Sequence, residues 1–108
     1  MWAQLMKIRV KPDKEQDLAG VFKQLQAVEQ PGSGLLRTMT MRDQSDPSQV
    51  YVLVVFESEE KARAREQDPR RQEGLKPARA ALAEILDGPR EFVNLTVVQD
   101  VSAEDREP

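Results

Sequence analysis

The chain contains no cysteine and no histidine among its 108 residues. The absence of cysteine excludes disulfide bonds, thiolate metal sites and thiol nucleophiles. The absence of histidine removes the commonest general base and the commonest metal ligand. Any chemistry must therefore use carboxylates, Tyr51, lysines, arginines or the reactivity of a bound molecule, and we expect neither a metal site nor a cofactor site.

The sequence also lacks a long apolar run and a basic segment. No stretch approaches the ~20 apolar residues of a membrane span, and the first residues do not resemble a secretion signal. The net charge is −3 with a pI near 5.0, which argues against nucleic acid or an anionic membrane as a partner. We therefore expect a cytoplasmic protein with neither kind of partner.

Alternating apolar residues predict four strands. The first covers residues 2–10, and the last covers residues 90–101. The second alternates over residues 35–41, with Leu36, Thr38 and Thr40 on one side and Leu35, Arg37, Met39 and Met41 on the other. A turn over residues 43–48 links it to the third, an almost continuous apolar run over residues 50–57 that is typical of a central strand.

Apolar residues at three- and four-residue steps predict two helical regions. In the first, Asp13 caps a helix whose apolar stripe runs from Leu18 to Val28. The second is broken, with one start at Ser58 and another at Asp68 and Pro69. We expect one domain over residues 1–101 and a disordered tail over residues 102–108.

The order of the elements is strand, helix, strand, strand, helix, strand. This order predicts an α+β, ferredoxin-like βαββαβ fold, in which an antiparallel sheet carries both helices on one face. The third strand is apolar on both sides, and a domain of this length has a small core of its own. We therefore expect the uncovered face of the sheet to pair with a second subunit in a homodimer.

Three segments carry a family resemblance: KPDKEQDLAGVFKQL, the stretch from Pro31 to Pro69, and EFVNLTVV. Within them lie a Pro-Gly turn, an Asp-Pro turn and an aromatic-Glu-Ser strand end. These features resemble the antibiotic biosynthesis monooxygenase-like family of dimeric α+β barrels, over roughly residues 1–101. The resemblance implies an oxidoreductase, a cofactor-independent monooxygenase that oxidises a small aromatic or polyphenolic substrate with dioxygen. Members without assigned activity also exist, so the resemblance leaves catalysis open.

The family also includes haem-degrading proteins, which the sequence disfavours. That branch uses an asparagine on the first strand, a tryptophan on the second helix and an axial histidine. The matching positions here are near Met6, Arg65 and Leu75, and all three differ.

An oxygenase of this family needs a cavity between the helices and the sheet, with a polar group or a cation directed inward. The sequence assigns no catalytic residue. The candidate substrate-binding residues are Trp2, Gln4, Met6, Phe22, Arg65, Leu75, Arg79 and Asn94, with Thr38, Thr40 and Thr96 added if their strands share the same phase.

Each candidate also has a purely structural explanation. The threonines could be solvated, Trp2 could pack in the core, and the arginines could form solvated ion pairs. The alternative function is a non-catalytic homodimer that binds a small ligand or regulates another process. A cavity closed by Trp2, Phe22, Phe56 and Leu75 without an inward polar group would favour that alternative.

Overall fold

The structure, a computed structural model, describes residues 1–105. Within these residues, the fold has four strands, three α-helices and two short 3-10 helices. In chain order they are β1 (Trp2–Arg9), a 3-10 helix (Pro12–Asp17), α1 (Leu18–Ala27), β2 (Leu35–Arg42), β3 (Gln49–Phe56), α2 (Glu59–Glu66), α3 (Pro69–Ile85), β4 (Glu91–Thr96) and a 3-10 helix (Ala103–Asp105). The disorder expected for the tail stays a prediction, and its last three residues, 106–108, lie outside the described residues.

The four strands form one antiparallel sheet in the order β2-β3-β1-β4. The predicted ferredoxin-like α+β fold is confirmed. β1 and β3 are the central strands, and their even-numbered residues face the helices. The core between sheet and helices contains Ile8, Val10, Leu18, Val21, Val50, Val52, Leu82 and Ile85.

Two of the three predicted helix caps are confirmed. The Ser58 hydroxyl accepts a hydrogen bond from the Lys61 backbone N–H at 3.1 Å, at the start of α2. The Asp68 carboxylate accepts one from the Arg70 backbone N–H at 2.9 Å, at the start of α3. The predicted Asp13 cap is wrong, because Pro12 starts a 3-10 helix and Asp13 lies inside it.

Helix α3 runs without interruption through Gly74 and Pro77. A Cβ atom at Gly74 would lie 2.8 Å from Val28 Cγ1, just after the end of α1. The glycine therefore allows close contact between α1 and α3, which is the principal helix–helix contact of the layer.

A β-bulge changes the predicted faces of β2. Leu35 pairs with Phe56 and Arg37 pairs with Val55, so the two residues lie on opposite faces of the sheet. The prediction that Leu35 shares a face with Arg37 is wrong, because Leu36 is the extra residue. Leu36 is 51% exposed, and Leu35 packs against Trp2 and Phe56 on the helix-facing side.

The last strand is shorter than the predicted one. β4 ends at Thr96, which pairs with Trp2, the first residue of β1. Beyond Thr96 the central strand offers only the Met1 carbonyl, which accepts a hydrogen bond from the Val97 N–H at 3.4 Å. The apolar alternation continues in the sequence, but Val98 is 93% exposed and lies outside the sheet.

The face of the sheet opposite the helices is uncovered in the single chain. We call it the open face. It carries Tyr51 and the charged Lys7, Arg37 and Glu91, and its large aliphatic residues are Leu5, Met39, Met41, Leu53, Val55, Val93 and Leu95. Met39, Met41, Val93 and Leu95 are more than a third exposed. Within residues 1–105, the helices are too short or too polar to cross a membrane. The cytoplasmic location stays a prediction from the sequence.

Candidate functional site

A cavity of ≈ 330 Å³ lies between the helix-facing side of the sheet and the three helices. Its apolar surface comes from the sheet and from α1 and α3, through Val52, Val54, Phe56, Phe22 and Leu75. Gln4 and Thr38 add two neutral polar side chains from β1 and β2. The cavity is at the small end of the range for ligand sites, and it has the apolar character that such sites have.

Helix α3 supplies an alternating charged and apolar wall. Arg71, Leu75, Arg79 and Leu82 follow one another at steps of four, four and three residues, so they lie along one side of the helix. All four line the cavity. The two leucines are buried, and the arginines extend from either side of Leu75.

Glu29 and Arg65 form a partly buried ion pair in the cavity wall. Arg65 Nε donates to both carboxylate oxygens, at 3.1 and 3.0 Å, and Arg65 Nη2 donates to Oε1 at 2.6 Å. Burial alone would raise the pKa of the Glu29 carboxyl, but hydrogen bonds from Arg65 and Ser33 hold that pKa below its ordinary value. The Arg65 guanidinium also stacks 5.2 Å from the centre of the Phe56 ring.

Arg71 is a half-buried cation without a carboxylate partner among the described residues. Its Nε atom is buried and forms no hydrogen bond there. Burial, followed by the nearby charges of Arg65 and Arg79, lowers the pKa of Arg71 from its ordinary value to about 10. Arg71 is therefore still protonated near neutral pH, although its surroundings disfavour the charge.

Six of the eight candidate residues line this cavity: Gln4, Met6, Phe22, Arg65, Leu75 and Arg79. Asn94 is exposed beside it, and its Oδ1 accepts a hydrogen bond from Gln4 Nε2 at 3.0 Å. Trp2 is buried next to it, with its ring 6.0 Å from that of Phe56 and under the Arg63 guanidinium. Whether any of the eight binds substrate stays a prediction.

The three candidate threonines of the sheet lie in three different places. Thr38 lines the cavity, Thr40 lines a separate groove beside Arg42, and Thr96 is exposed at the end of β4. Tyr51 lies on the open face, away from the cavity. It therefore does not serve as an acid or base for a molecule in the cavity.

Sequence reasoning missed several residues that line the cavity, among them Glu29, Leu35, Arg71, Arg90 and Phe92. Arg71 could have been found, because it lies one helical turn before Leu75. Leu35 was hidden by the bulge. Glu29 lies after the end of α1, where no helical or strand periodicity indicates the direction of its side chain.

The cavity favours a ligand that carries or develops negative charge. Four arginines line it, Arg65, Arg71, Arg79 and Arg90, against Glu29 as the single carboxylate among the described lining residues. Nearby cations stabilise a phenolate or a carboxylate relative to its neutral form. Glu29, with its lowered pKa and its bond to Arg65, is a weak general base.

The chain was compared with family models, with curated protein sequences and with solved structures. The family model described as "Antibiotic biosynthesis monooxygenase" matches residues 1–77. A search of curated protein sequences gave no match.

Among solved structures, a variant of SnoaB, a cofactor-independent oxygenase from Streptomyces nogalater, is 19% identical over 93% of this chain and 95% of its own, with a TM-score of 0.74. Rv0793 from Mycobacterium tuberculosis is 14% identical over 94% and 98%, with a TM-score of 0.71. A conserved protein from Methanosarcina mazei is 19% identical over 87% and 89%, with a TM-score of 0.69. At these identities the likeness concerns the fold.

Proposed function

Because this chain belongs to the antibiotic biosynthesis monooxygenase family, we propose that it oxidises a small phenolic aromatic molecule with dioxygen, without a cofactor, in the cavity between sheet and helices. The observation that supports this most directly is the composition of the cavity, with apolar walls beside four arginines. The apolar walls hold a ring system. The arginines favour its ionised form.

The chemistry needs an electron-rich, ionised substrate. A phenol has an ordinary pKa near ~10, and nearby guanidinium groups lower it by stabilising the phenolate. The ionised ring transfers one electron to dioxygen, and the resulting radical pair combines into a hydroperoxide. Loss of water from the hydroperoxide, with the remaining hydrogen of that carbon, turns the substrate's CH₂ carbon into a carbonyl. One oxygen atom of dioxygen enters the product and the other leaves as water.

In this scheme the protein contributes positioning and charge rather than a nucleophile. Gln4, whose amide is held by Asn94 at 3.0 Å, and Thr38 are neutral groups that can orient a phenolic oxygen. Phe22 and Phe56 provide aromatic surface for the ring. No histidine is needed for any of these steps.

A second candidate is a homodimer that binds a small ligand without turnover. The pairing of Glu29 with Arg65 supports it, because the pairing leaves the cavity without an available carboxylate base among the described residues. The inward position of Gln4, Thr38 and Arg71 supports the oxygenase instead, because these polar groups line a cavity whose walls are otherwise largely apolar.

We also propose that the protein is a homodimer formed through the open face. Seven apolar residues there have no covering element in the single chain, and four of them are more than a third exposed. Contiguous apolar surface of this kind usually marks an interface. Pairing two open faces would bury β3, the most apolar strand, on both sides.

Dioxygen uptake with a panel of anthrones and hydroquinones, without added metal or flavin, tests the oxygenase proposal. Thr38→Val should lower kcat/KM, because Thr38 lines the cavity. Thr40→Val is the matched control on the same strand and should leave uptake unchanged, because Thr40 lines a different groove. Rates equal to a protein-free control across the panel would refute oxygenase activity on these substrates and favour the ligand-binding homodimer.

A further inference from the structure

The charges around the cavity are unevenly balanced. The whole chain carries 19 acidic and 16 basic residues. Of the described residues that line the cavity, four are arginines and one is a glutamate. The single carboxylate is already bound to Arg65 through three hydrogen bonds. The cavity is therefore lined mainly by cations, although the protein as a whole has a net negative charge.

Arg71 stands out among these cations. Within residues 1–105, Arg71, Arg79 and Arg90 form no ion pair, but Arg90 stacks on the Phe92 ring at 5.4 Å and Arg79 is exposed. Arg71 alone combines burial with an unpartnered Nε atom. A buried donor without an acceptor costs folding free energy, and a buried cation costs more. A ligand with an anionic group beside the Nη atoms would offset the cost of the buried charge.

The shape of the arginine side chain indicates which anion fits. The two Nη atoms of a guanidinium form a planar fork that matches the two oxygens of a carboxylate, whereas the Arg71 Nε is buried from solvent and would not take part. Leu75 lies one helical turn further along α3, and Arg79 one turn beyond that. A flat aromatic ring against Leu75 and Phe22 would place a carboxylate on its edge within reach of this side of the helix.

We propose that Arg71 is the binding site for a carboxylate on the substrate, with Arg79 as a second cation nearby, so that the substrate class is small hydroxylated aromatic carboxylates. This inference rests on the proposed function for the role of the cavity. It goes further by assigning one part of the substrate to one residue. Arg71 is a specificity residue here: it holds the substrate's carboxylate and is not the group that reacts with dioxygen.

Equilibrium binding under nitrogen tests the assignment separately from turnover. The probes are 1-naphthoate, 1-naphthol and 1-naphthyl phosphate, titrated by calorimetry into the intact protein at pH 7. We expect naphthoate to bind at least about tenfold more tightly than naphthol, as one charge-assisted hydrogen bond predicts. Naphthyl phosphate should bind more weakly than naphthoate.

Three variants locate the preference. Arg71→Gln should lower naphthoate affinity about tenfold or more and leave naphthol affinity within about twofold. Arg71→Lys keeps the positive charge but loses the planar fork, so its naphthoate affinity should lie between that of wild type and that of Arg71→Gln. Arg70→Gln is the matched control, because Arg70 is the neighbouring arginine, pairs with Asp68 and does not line the cavity. Circular dichroism verifies that each variant is folded.

The outcomes separate the two proposals. Equal binding of naphthoate and naphthol to the wild-type protein, absence of naphthoate binding, or an unchanged preference in Arg71→Gln would each overturn the assignment, even if oxygenase activity is found. A preference for naphthyl phosphate would replace the carboxylate with a phosphate. Carboxylate preference lost in Arg71→Gln, without dioxygen uptake on any substrate, would support the anion site and contradict the oxygenase.

Discussion

Replacement of Arg71 by methionine should make the protein more stable at neutral pH. Lowering the pKa of the Arg71 guanidinium from its ordinary value to about 10 corresponds to roughly 3 kcal/mol of unfavourable interaction with its charged form. Because the side chain is only half-buried, water screens part of this, and we expect about 1–2 kcal/mol. Methionine keeps much of the aliphatic packing of the arginine stem and removes the charge.

The pH dependence of this gain has a defined sign. The folded-state pKa of Arg71 is below the unfolded one, so the cost of the charge is present at all pH values below about 10. The cost disappears only as the pH rises from about 10 towards the ordinary pKa of a guanidinium. Arg71→Met should therefore be more stable than wild type by about 1–2 kcal/mol, equally at pH 6 and pH 9, with a rise in Tm of about 4–8 °C per kcal/mol.

Urea unfolding of wild type, Arg71→Met and Arg70→Met at one protein concentration measures the effect. The Arg70 variant is the control, because that side chain is 68% exposed and paired with Asp68. An Arg71→Met variant that is less stable than wild type at both pH values would refute the reasoning. It would mean that Arg71 gains more from its surroundings than it loses by burial.

Gly74→Ala should destabilise the fold by about 1–2 kcal/mol, although alanine has the better helix propensity, because the new Cβ would lie 2.8 Å from Val28 Cγ1. In thermal unfolding, the double variant Gly74→Ala, Val28→Ala should recover part of that loss. Stability losses that simply add in the double variant would contradict the contact. Leu53→Glu on the open face should convert the proposed homodimer into a monomer in sedimentation experiments at micromolar concentration, and an unchanged sedimentation coefficient would contradict the interface. The pKa of the Glu29 carboxyl is lower in the folded state than in the unfolded state, so its pairing with Arg65 should stabilise the fold at pH values above the unfolded pKa, and this stabilisation should be lost as the pH falls through the folded pKa. Glu29→Gln should therefore weaken the dependence of the unfolding free energy on pH at acidic pH. Curves of unfolding free energy against pH that stay parallel for wild type and variant would count against the pairing.

The sequence was sufficient for the order of the elements, the fold and the caps at Ser58 and Asp68, because those signals are local. Periodicity failed where a neighbouring strand decides the outcome. The bulge at Leu36 depends on pairing between β2 and β3, and the end of β4 depends on where β1 begins. The local alternation of apolar residues indicates neither the position of the bulge nor the end of β4.

The cavity was predictable only in part for a related reason. Gln4, Met6, Phe22 and Leu75 follow from the helix-facing sides of their elements. Glu29 lies in the connection after α1, so its contact with Arg65 on α2 comes from the approach of two distant segments. Such a contact leaves no trace in the spacing of either segment.

The ion pair and the arginines also determine what a pH–rate profile would measure. Glu29 stays ionised at mildly acidic pH, and Arg71 loses its proton only near pH 10. Guanidinium groups in general stay protonated in proteins. The electric field inside the cavity is therefore constant across the physiological range. Any inflection in rate between about pH 5 and pH 9 would then report the ionisation of the bound molecule, so the profile titrates the substrate rather than the protein.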